Sequence, residues 1–143
     1  MSNVEIVCNN LPVRGSNEAA GYDFIYSGDD LIIEPQNTTL VNLNVKMALP
    51  KGMVLFLKTR SSFAKMGILT TGGVIDSDYR GCISACLLNT SSAPFLIKSG
   101  MKICQGVLLK YNEINFIQVK QLSDTTERGE QGFGSSGIFN VKE

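Results

Sequence analysis

The sequence contains no histidine and no tryptophan. Without histidine the commonest general base is missing, and the Ser-His-Asp and Cys-His nucleophile families go with it, so acid–base chemistry falls to carboxylates. The four cysteines, Cys8, Cys82, Cys86 and Cys104, include no C-x-x-C pair. That argues against a zinc site or a disulfide framework, and it leads us to expect reduced thiols in a cytoplasmic or nuclear protein. Neither sign of charge is in excess: 13 Lys+Arg balance 13 Asp+Glu, so no global field advertises nucleic-acid binding. Apolar runs are only a few residues long, and MSNVEIV lacks the charged-then-apolar pattern of a signal peptide. The expectation is a chain that neither spans a membrane nor is secreted by a classical signal.

What is present is period-two patterning. Val41, Leu43, Val45 and Met47 alternate with Asn42, Asn44 and Lys46, as on a half-buried strand. Short runs of the same kind recur at VEIV, YDFIY, LII, MVLFLK, CISACLL, PFLI, ICQGVLLKY and NFIQV, separated by turn material such as SGDD, EPQN, LPKG and IKSG. The pattern predicts one all-β domain of antiparallel strands, a sandwich or jelly roll, over residues 1–122. At 143 residues the chain is long enough to bury roughly 70% of its unfolded surface. Only SSFAKMG suits a helical turn, with Ser61 or Ser62 as the N-cap. From about Ser123 the composition turns polar and Gly-rich, which predicts a flexible arm over 123–143.

Within that arm GFGSSG, Gly132 to Gly137, has the G-x-G-x-x-G spacing of a dinucleotide-binding turn. Such a turn follows a strand, opens a helix and has an acidic residue about 20 positions further on. The polar ERGEQ before it and the few residues after it offer none of these, so the dinucleotide reading is set aside. An inert tail remains one reading. Arg128 and Phe133, a phosphate-pairing cation and a flat aromatic among glycines, suit instead an arm that closes on a nucleotide.

Other segments carry chemistry by residue type. Asp76, in GVIDSDYRG, follows Val74 and Ile75 in a Gly-framed turn, where a carboxylate at a rigid hairpin end is able to orient and deprotonate water. Taken alone, Asp76 and Asp78 read equally as ordinary turn acceptors. Arg60, Ser61 and Ser62 bring a guanidinium and two hydroxyls to a helix start, an anion-binding arrangement, or alternatively a plain cap beside a surface arginine.

Taken in order, AAGYD (Ala19 to Asp23), TRSSFAKMG (Thr59 to Gly67), GGVIDSDYRG (Gly72 to Gly81), GMKICQGVL (Gly100 to Leu108) and ERGEQGFGSSG (Glu127 to Gly137) resemble the trimeric dUTPases. The resemblance covers nearly the whole chain, and its third and fifth segments are highly specific. It implies a jelly-roll homotrimer that hydrolyses dUTP to dUMP and pyrophosphate with Mg²⁺ at three sites between subunits, limiting dUTP and supplying dUMP.

The same resemblance implies residue roles. Asp76 is the general base. The Gly73, Val74 and Ile75 stretch meets the uracil edge through its backbone, and Tyr79 is the plate on which the deoxyribose packs. Arg60, Ser61, Ser62, Phe63 and Gln105 lie with the phosphates, and Asp23 reaches the hydrated Mg²⁺ through water. Arg128 closes on the terminal phosphate, with Phe133 and Gly134 over the base. The chain departs from the commonest family pattern at Thr59, Ser62 and Phe63, at Gly100-Met101-Lys102 where Gly-Asp-Arg is usual, and at Gln131. Two rival readings share the fold, a dCTP deaminase-like enzyme and a nucleotide-gated interaction protein. The Asp-Ser-Asp-Tyr-Arg turn speaks against the first, and the full set of catalytic residue types against the second.

Overall fold

The computed structural model describes residues 3–139. Eleven strands and one short helix follow one another among them: β1 (Glu5–Cys8), β2 (Val13–Arg14), β3 (Tyr22–Ile25), β4 (Leu31–Ile33), β5 (Thr38–Ala48), β6 (Met53–Lys58), α1 (Ser61–Lys65), β7 (Ile68–Thr71), β8 (Val74–Ile75), β9 (Ile83–Asn89), β10 (Phe95–Ile97) and β11 (Lys102–Lys110). Every pairing is antiparallel. One sheet runs β1-β5-β9-β7, a second β2-β3-β11-β6-β8, and β10 pairs with β4. Since most neighbours in each sheet, β2 and β3 excepted, are not consecutive in sequence, the chain crosses repeatedly between sheets, giving the expected all-β sandwich with jelly-roll connections.

Alternation decides which face is buried. Val41, Leu43 and Val45 of β5 point into the core with Ile83, Ala85 and Leu87 of β9, and from the other sheet come Phe24, Leu55, Leu57 and Ile103. Asn42, Asn44 and Lys46 face outward. The β5–β9 register shifts between Asn42 and Val45, and Asn44 takes φ 53° there with its amide donating to Asn42 Oδ1 at 2.8 Å. An asparagine tolerates the left-handed conformation that this bulge requires.

Among the described residues Asn89, at the end of β9, is the polar side chain buried in the core. Its amide nitrogen donates to the carbonyls of Ile33 (2.9 Å) and Ala93 (2.8 Å), and its Oδ1 accepts from the amide and hydroxyl of Ser91 (2.9 and 2.7 Å). One side chain thus holds β4, β9 and the connection to β10 together, with no buried polar atom of its own left over.

The structure differs from the sequence reading in two elements. The N-cap of α1 is Arg60, with no side-chain cap bond, rather than either serine. Its carbonyl accepts from the amides of Phe63 (3.0 Å) and Ala64 (2.9 Å). NFIQV forms no strand: Phe116 is 91% and Ile117 82% exposed. A strand needs a ladder to join, and this run has the composition of one without a paired neighbour. The described residues form two units, one ending at Glu113 and one beginning at Ile114. The second unit holds successive turns, closed by Gly129 N–H on Thr126 O (3.1 Å), Gln131 N–H on Arg128 O (3.2 Å) and Gly137 N–H on Gly134 O (2.9 Å).

Candidate active site

Three strands and a helix start bring one polar cluster together. On β3, Phe24 points into the core, so its neighbour Asp23 faces the other way, opposite Gln105 of β11. Gln105 in turn lies opposite Lys58 of β6, and two residues beyond Lys58 the chain reaches Arg60. The Arg60 Nε donates to Asp23 Oδ1 at 2.9 Å, and its terminal nitrogen to the Lys102 carbonyl at 2.9 Å and to Ser62 Oγ at 3.4 Å. Lys102 adds a second cation, its Nζ 3.6 Å from Asp23 Oδ2. The Gln105 amide donates to the Thr59 carbonyl at 3.1 Å. The side chains grade outward from Asp23 at 15% exposed through Arg60 at 25% to Lys102 at 42%.

The cluster holds two cations and one carboxylate, so it keeps a positive charge for an anion. The amides of Ser61 and Ser62, in the first turn of α1, have no partner within the helix and add donors there. Beneath it Cys104 is buried, and its thiol is pushed up to about 12, first by burial and then by the Asp23 charge, with Arg60 pulling the other way. The thiol is therefore protonated and inert, a packing group rather than a nucleophile.

One expectation is adjusted here. Phe63 is not a contact surface: its ring is buried in the core, edge-on to Phe95 with centroids 5.3 Å apart, and its amide is spent on Arg60. Asp23 is the carboxylate of this cluster and is already engaged by two cations. Among the described residues no group of three ligating side chains is positioned to hold a metal ion. The donor set fits a cation that arrives with its own waters and its ligand's oxygens, since magnesium keeps several waters. It does not fit a metal caged by protein.

The second cluster is the turn after β8; it is not the hairpin end that the sequence suggested, because β8 pairs with β6 in one sheet and β9 with β5 and β7 in the other, so the turn crosses between sheets. The Tyr79 amide donates to the Asp76 carbonyl at 3.2 Å, closing the turn, and the Arg80 guanidinium clamps it by donating to the carbonyls of Ser77 (2.7 Å) and Tyr79 (3.1 Å). The Tyr79 hydroxyl donates to the Cys82 carbonyl at 3.0 Å, which lays the ring along Gly81. Asp76 and Tyr79 share a cavity of about 300 Å³ whose walls are largely apolar: Leu40, Val74, Ile75 and Ile83. Asp76 also borders a wider cavity of about 580 Å³ with Lys51, Arg80 and Tyr111.

β8 is an edge strand, paired with β6 alone. The Leu57 amide donates to Gly73 O at 2.8 Å, and Phe56 stands opposite Val74. Because hydrogen-bonded and non-hydrogen-bonded pairs alternate along an antiparallel ladder, the N–H and C=O of Val74 point away from β6 to the open edge. Gly73 has φ 91°, and a Cβ on it would stand 2.7 Å from Leu57 Cβ, so the approach to β6 requires glycine.

Arg128 and Phe133 lie in the second unit. The Arg128 Nε donates to the Gln131 carbonyl at 2.9 Å, and Arg128, Ser135 and Ser136 line one cavity of about 550 Å³. Phe133 is fully exposed at φ 44°, beside Gly134 at φ 103°. The structure therefore gathers Asp23, Arg60, Ser62 and Gln105 in one place and Val74, Ile75, Asp76 and Tyr79 in another. Neither cavity that contains Asp76 contains a member of the first group. Lys102 and Arg80 escaped the sequence reading; a turn arginine four residues after a turn aspartate was the available signal for Arg80.

The family model for dUTPase matches residues 9–137. The chain is 40% identical over 129 residues to the deoxyuridine 5'-triphosphate nucleotidohydrolase of Variola virus, covering 89% of this chain and 85% of that protein. It is 42% identical over 132 residues to that of Debaryomyces hansenii, covering 89% and 80%. Among solved structures, the Staphylococcus bacteriophage 80alpha dUTPase with dUpNHpp superposes with a TM-score of 0.89 at 24% identity, over 96% of this chain and 100% of that one.

Proposed function

The chain belongs to the dUTPase family and is a dUTP nucleotidohydrolase, and from that premise we propose how its residues divide the reaction. Asp76 takes a proton from the water that attacks the α-phosphorus, and the products are dUMP and pyrophosphate. The observation that carries this reading is the Asp76–Tyr79 turn, clamped by Arg80, which holds a carboxylate and an aromatic plate at one apolar-walled cavity. General-base assistance of this kind is typically worth about 10²–10⁴-fold.

Tyr79 packs against the deoxyribose and leaves no space for a 2′-hydroxyl. The outward N–H and C=O of Val74 meet the uracil edge. A site built to pair with one hydrogen-bond pattern leaves groups unpaired when cytosine enters, which is worth on the order of 10⁴-fold or more. Arg60, Ser61, Ser62 and Gln105 receive the phosphates. Asp23 orders Arg60 directly and would hold Mg²⁺ through water; the ion, when bound, would supply positive charge to the phosphate oxygens.

We further propose that the working form is a homotrimer whose sites lie between subunits, with the 123–143 arm bringing Arg128 to the terminal phosphate and Phe133 over the base. Two observations support this: the phosphate cluster and the Asp76 cavity are separate within one chain, and Leu40 and Val74 at that cavity are exposed. Base–aromatic stacking by Phe133 contributes about 1–3 kcal/mol. The protein's role is to keep uracil out of DNA while supplying dUMP. The free thiols of Cys8, Cys82, Cys86 and Cys104 suit a reducing compartment, cytoplasm or nucleus.

Pyrophosphate release from dUTP, dTTP, dCTP and UTP, measured side by side with and without Mg²⁺, tests the reading. The expected result is release from dUTP only, and dependence on the ion. Comparable turnover of UTP or dCTP, or ammonia release from dCTP, overturns it.

A further inference from the structure

We propose that Lys102 is a polyphosphate-binding residue that leaves Asp23 for the incoming substrate and distinguishes substrate from nucleoside monophosphate product. The inference rests on the dUTP reading above and adds to it a residue outside the set that the sequence suggested.

Its basis is the unequal way in which Asp23 holds its two cations. Arg60 is pinned: its Nε makes a 2.9 Å hydrogen bond to Oδ1, and a terminal nitrogen makes another 2.9 Å bond to the Lys102 carbonyl. Lys102 is not. Its Nζ lies 3.6 Å from Oδ2, beyond hydrogen-bond distance, and its side chain is 42% exposed. Its backbone, by contrast, is fixed in β11 opposite Ile25 and by the bond from Arg60. The ammonium is thus a point charge with three donors on a four-carbon stem, anchored at its base beside Arg60 and free at its tip.

Charge decides where the tip goes. Arg60 and Lys102 share one carboxylate, which leaves one uncompensated positive charge next to the first-turn amides of α1. A chain of phosphates carries several negative charges, and charge-assisted hydrogen bonds to it are shorter and stronger than the loose ion pair that Lys102 has at rest. Arg60, held on two sides, stays in place, while Lys102 moves from Oδ2 to a phosphate oxygen. A monophosphate remaining at the Asp76 side after the reaction no longer reaches it, so product release does not have to break this contact.

The test compares wild type with Lys102→Met, Lys102→Gln and Lys102→Arg. The expected result for Met and Gln is a rise in KM for dUTP of about 10-fold or more with kcat changed by less than about threefold, the pattern for binding lost equally from ground and transition states. By titration calorimetry, binding of inorganic pyrophosphate weakens in parallel, dUMP binding stays within about twofold, and Lys102→Arg stays close to wild type. An unchanged KM, or equal losses for dUMP and pyrophosphate, overturns the proposal, and so does a lowered Tm without a change in KM. Wild type is measured in the same assay: if it leaves dUTP intact, the function reading fails, whereas normal wild-type turnover with an indifferent Lys102→Met removes only this inference. Using both Met and Gln guards against one substitution that fails to fold.

Discussion

A Cβ on Gly81 would stand 2.6 Å from Cζ of Tyr79. The phenol ring therefore owes its position to the absence of a side chain two residues away, and the 3.0 Å bond from its hydroxyl to the Cys82 carbonyl fixes it there. Gly81→Ala should push the ring off its site while leaving the sandwich folded. The expected outcome is a several-fold fall in the kcat/KM ratio of dUTP to UTP, with Tm changed by only a few degrees. An unchanged ratio means that sugar selection does not depend on the plane of Tyr79.

Asp76→Asn keeps the shape of the turn and removes the base. Binding of dUTP with Mg²⁺ should stay near normal, and kcat should fall by at least about 10²-fold. Turnover near the wild-type rate takes Asp76 out of the mechanism.

Subunit sharing has a genetic signature. Asp76→Asn and Arg128→Ala proteins should each be nearly inactive, and coexpression should restore part of the activity, because some mixed sites combine an intact Asp76 from one chain with an intact Arg128 from another. Differentially tagged mixed oligomers with no recovery over the parents would falsify the shared site.

Asn89→Ala leaves the buried carbonyl of Ile33 and the amide of Ser91 without this side-chain partner, while the exposed Ala93 carbonyl keeps the Ser91 hydroxyl at 3.0 Å. An unsatisfied buried group costs about 1–3 kcal/mol, so a loss of about 1–3 kcal/mol is expected in urea unfolding. Activity per folded molecule should persist, since Asn89 is absent from both site clusters.

Cys104 gives a pH dependence of known sign. Its thiol titrates at about 12 in the native chain and near its ordinary value of 9.0 when unfolded. Below pH 9 both states carry the proton and nothing is lost. Above it the unfolded state releases the proton first, so stability falls as pH rises toward 12, by up to about 1.4 kcal/mol per unit. Cys104→Ala should be less stable at pH 7, from the cavity it creates, yet decline more gently between pH 9 and 12. In the native protein the half-buried Cys8, Cys82 and Cys86 should react with thiol reagents before Cys104 does.

The elements that were legible in the sequence are those with local causes. β5 was readable because only one of its faces is buried, so Val41, Leu43 and Val45 alternate with polar neighbours. The Asp76 turn was readable because its turn, clamp and ring lie within a few residues, although the hairpin expected there is absent, since β8 and β9 belong to different sheets. NFIQV was misjudged for the complementary reason: an apolar β-forming run looks the same with or without a partner strand, and pairing is decided far away in the chain. Phe63 sits among phosphate-site residues in sequence, but a five-residue helix turns it into the core. Lys102 was missed because its meeting with Asp23 and Arg60 depends on the registers of β3 and β6 against β11, joining positions 37 and 42 residues apart that no local pattern links.

The open edge of β8 has a bearing on how this protein varies over time. If the base is read by the N–H and C=O of Val74, the reader is a part of the chain that every residue except proline possesses in the same form. Substituting Val74 changes the wall of the cavity and leaves the code intact. Altering the code takes a slip of the strand against β6, and a one-residue slip turns every side chain of β8 to the opposite face. Point mutation then has no gradual route from uracil's hydrogen-bond pattern to cytosine's, so discrimination between those two bases is inherited with the fold rather than with any single codon.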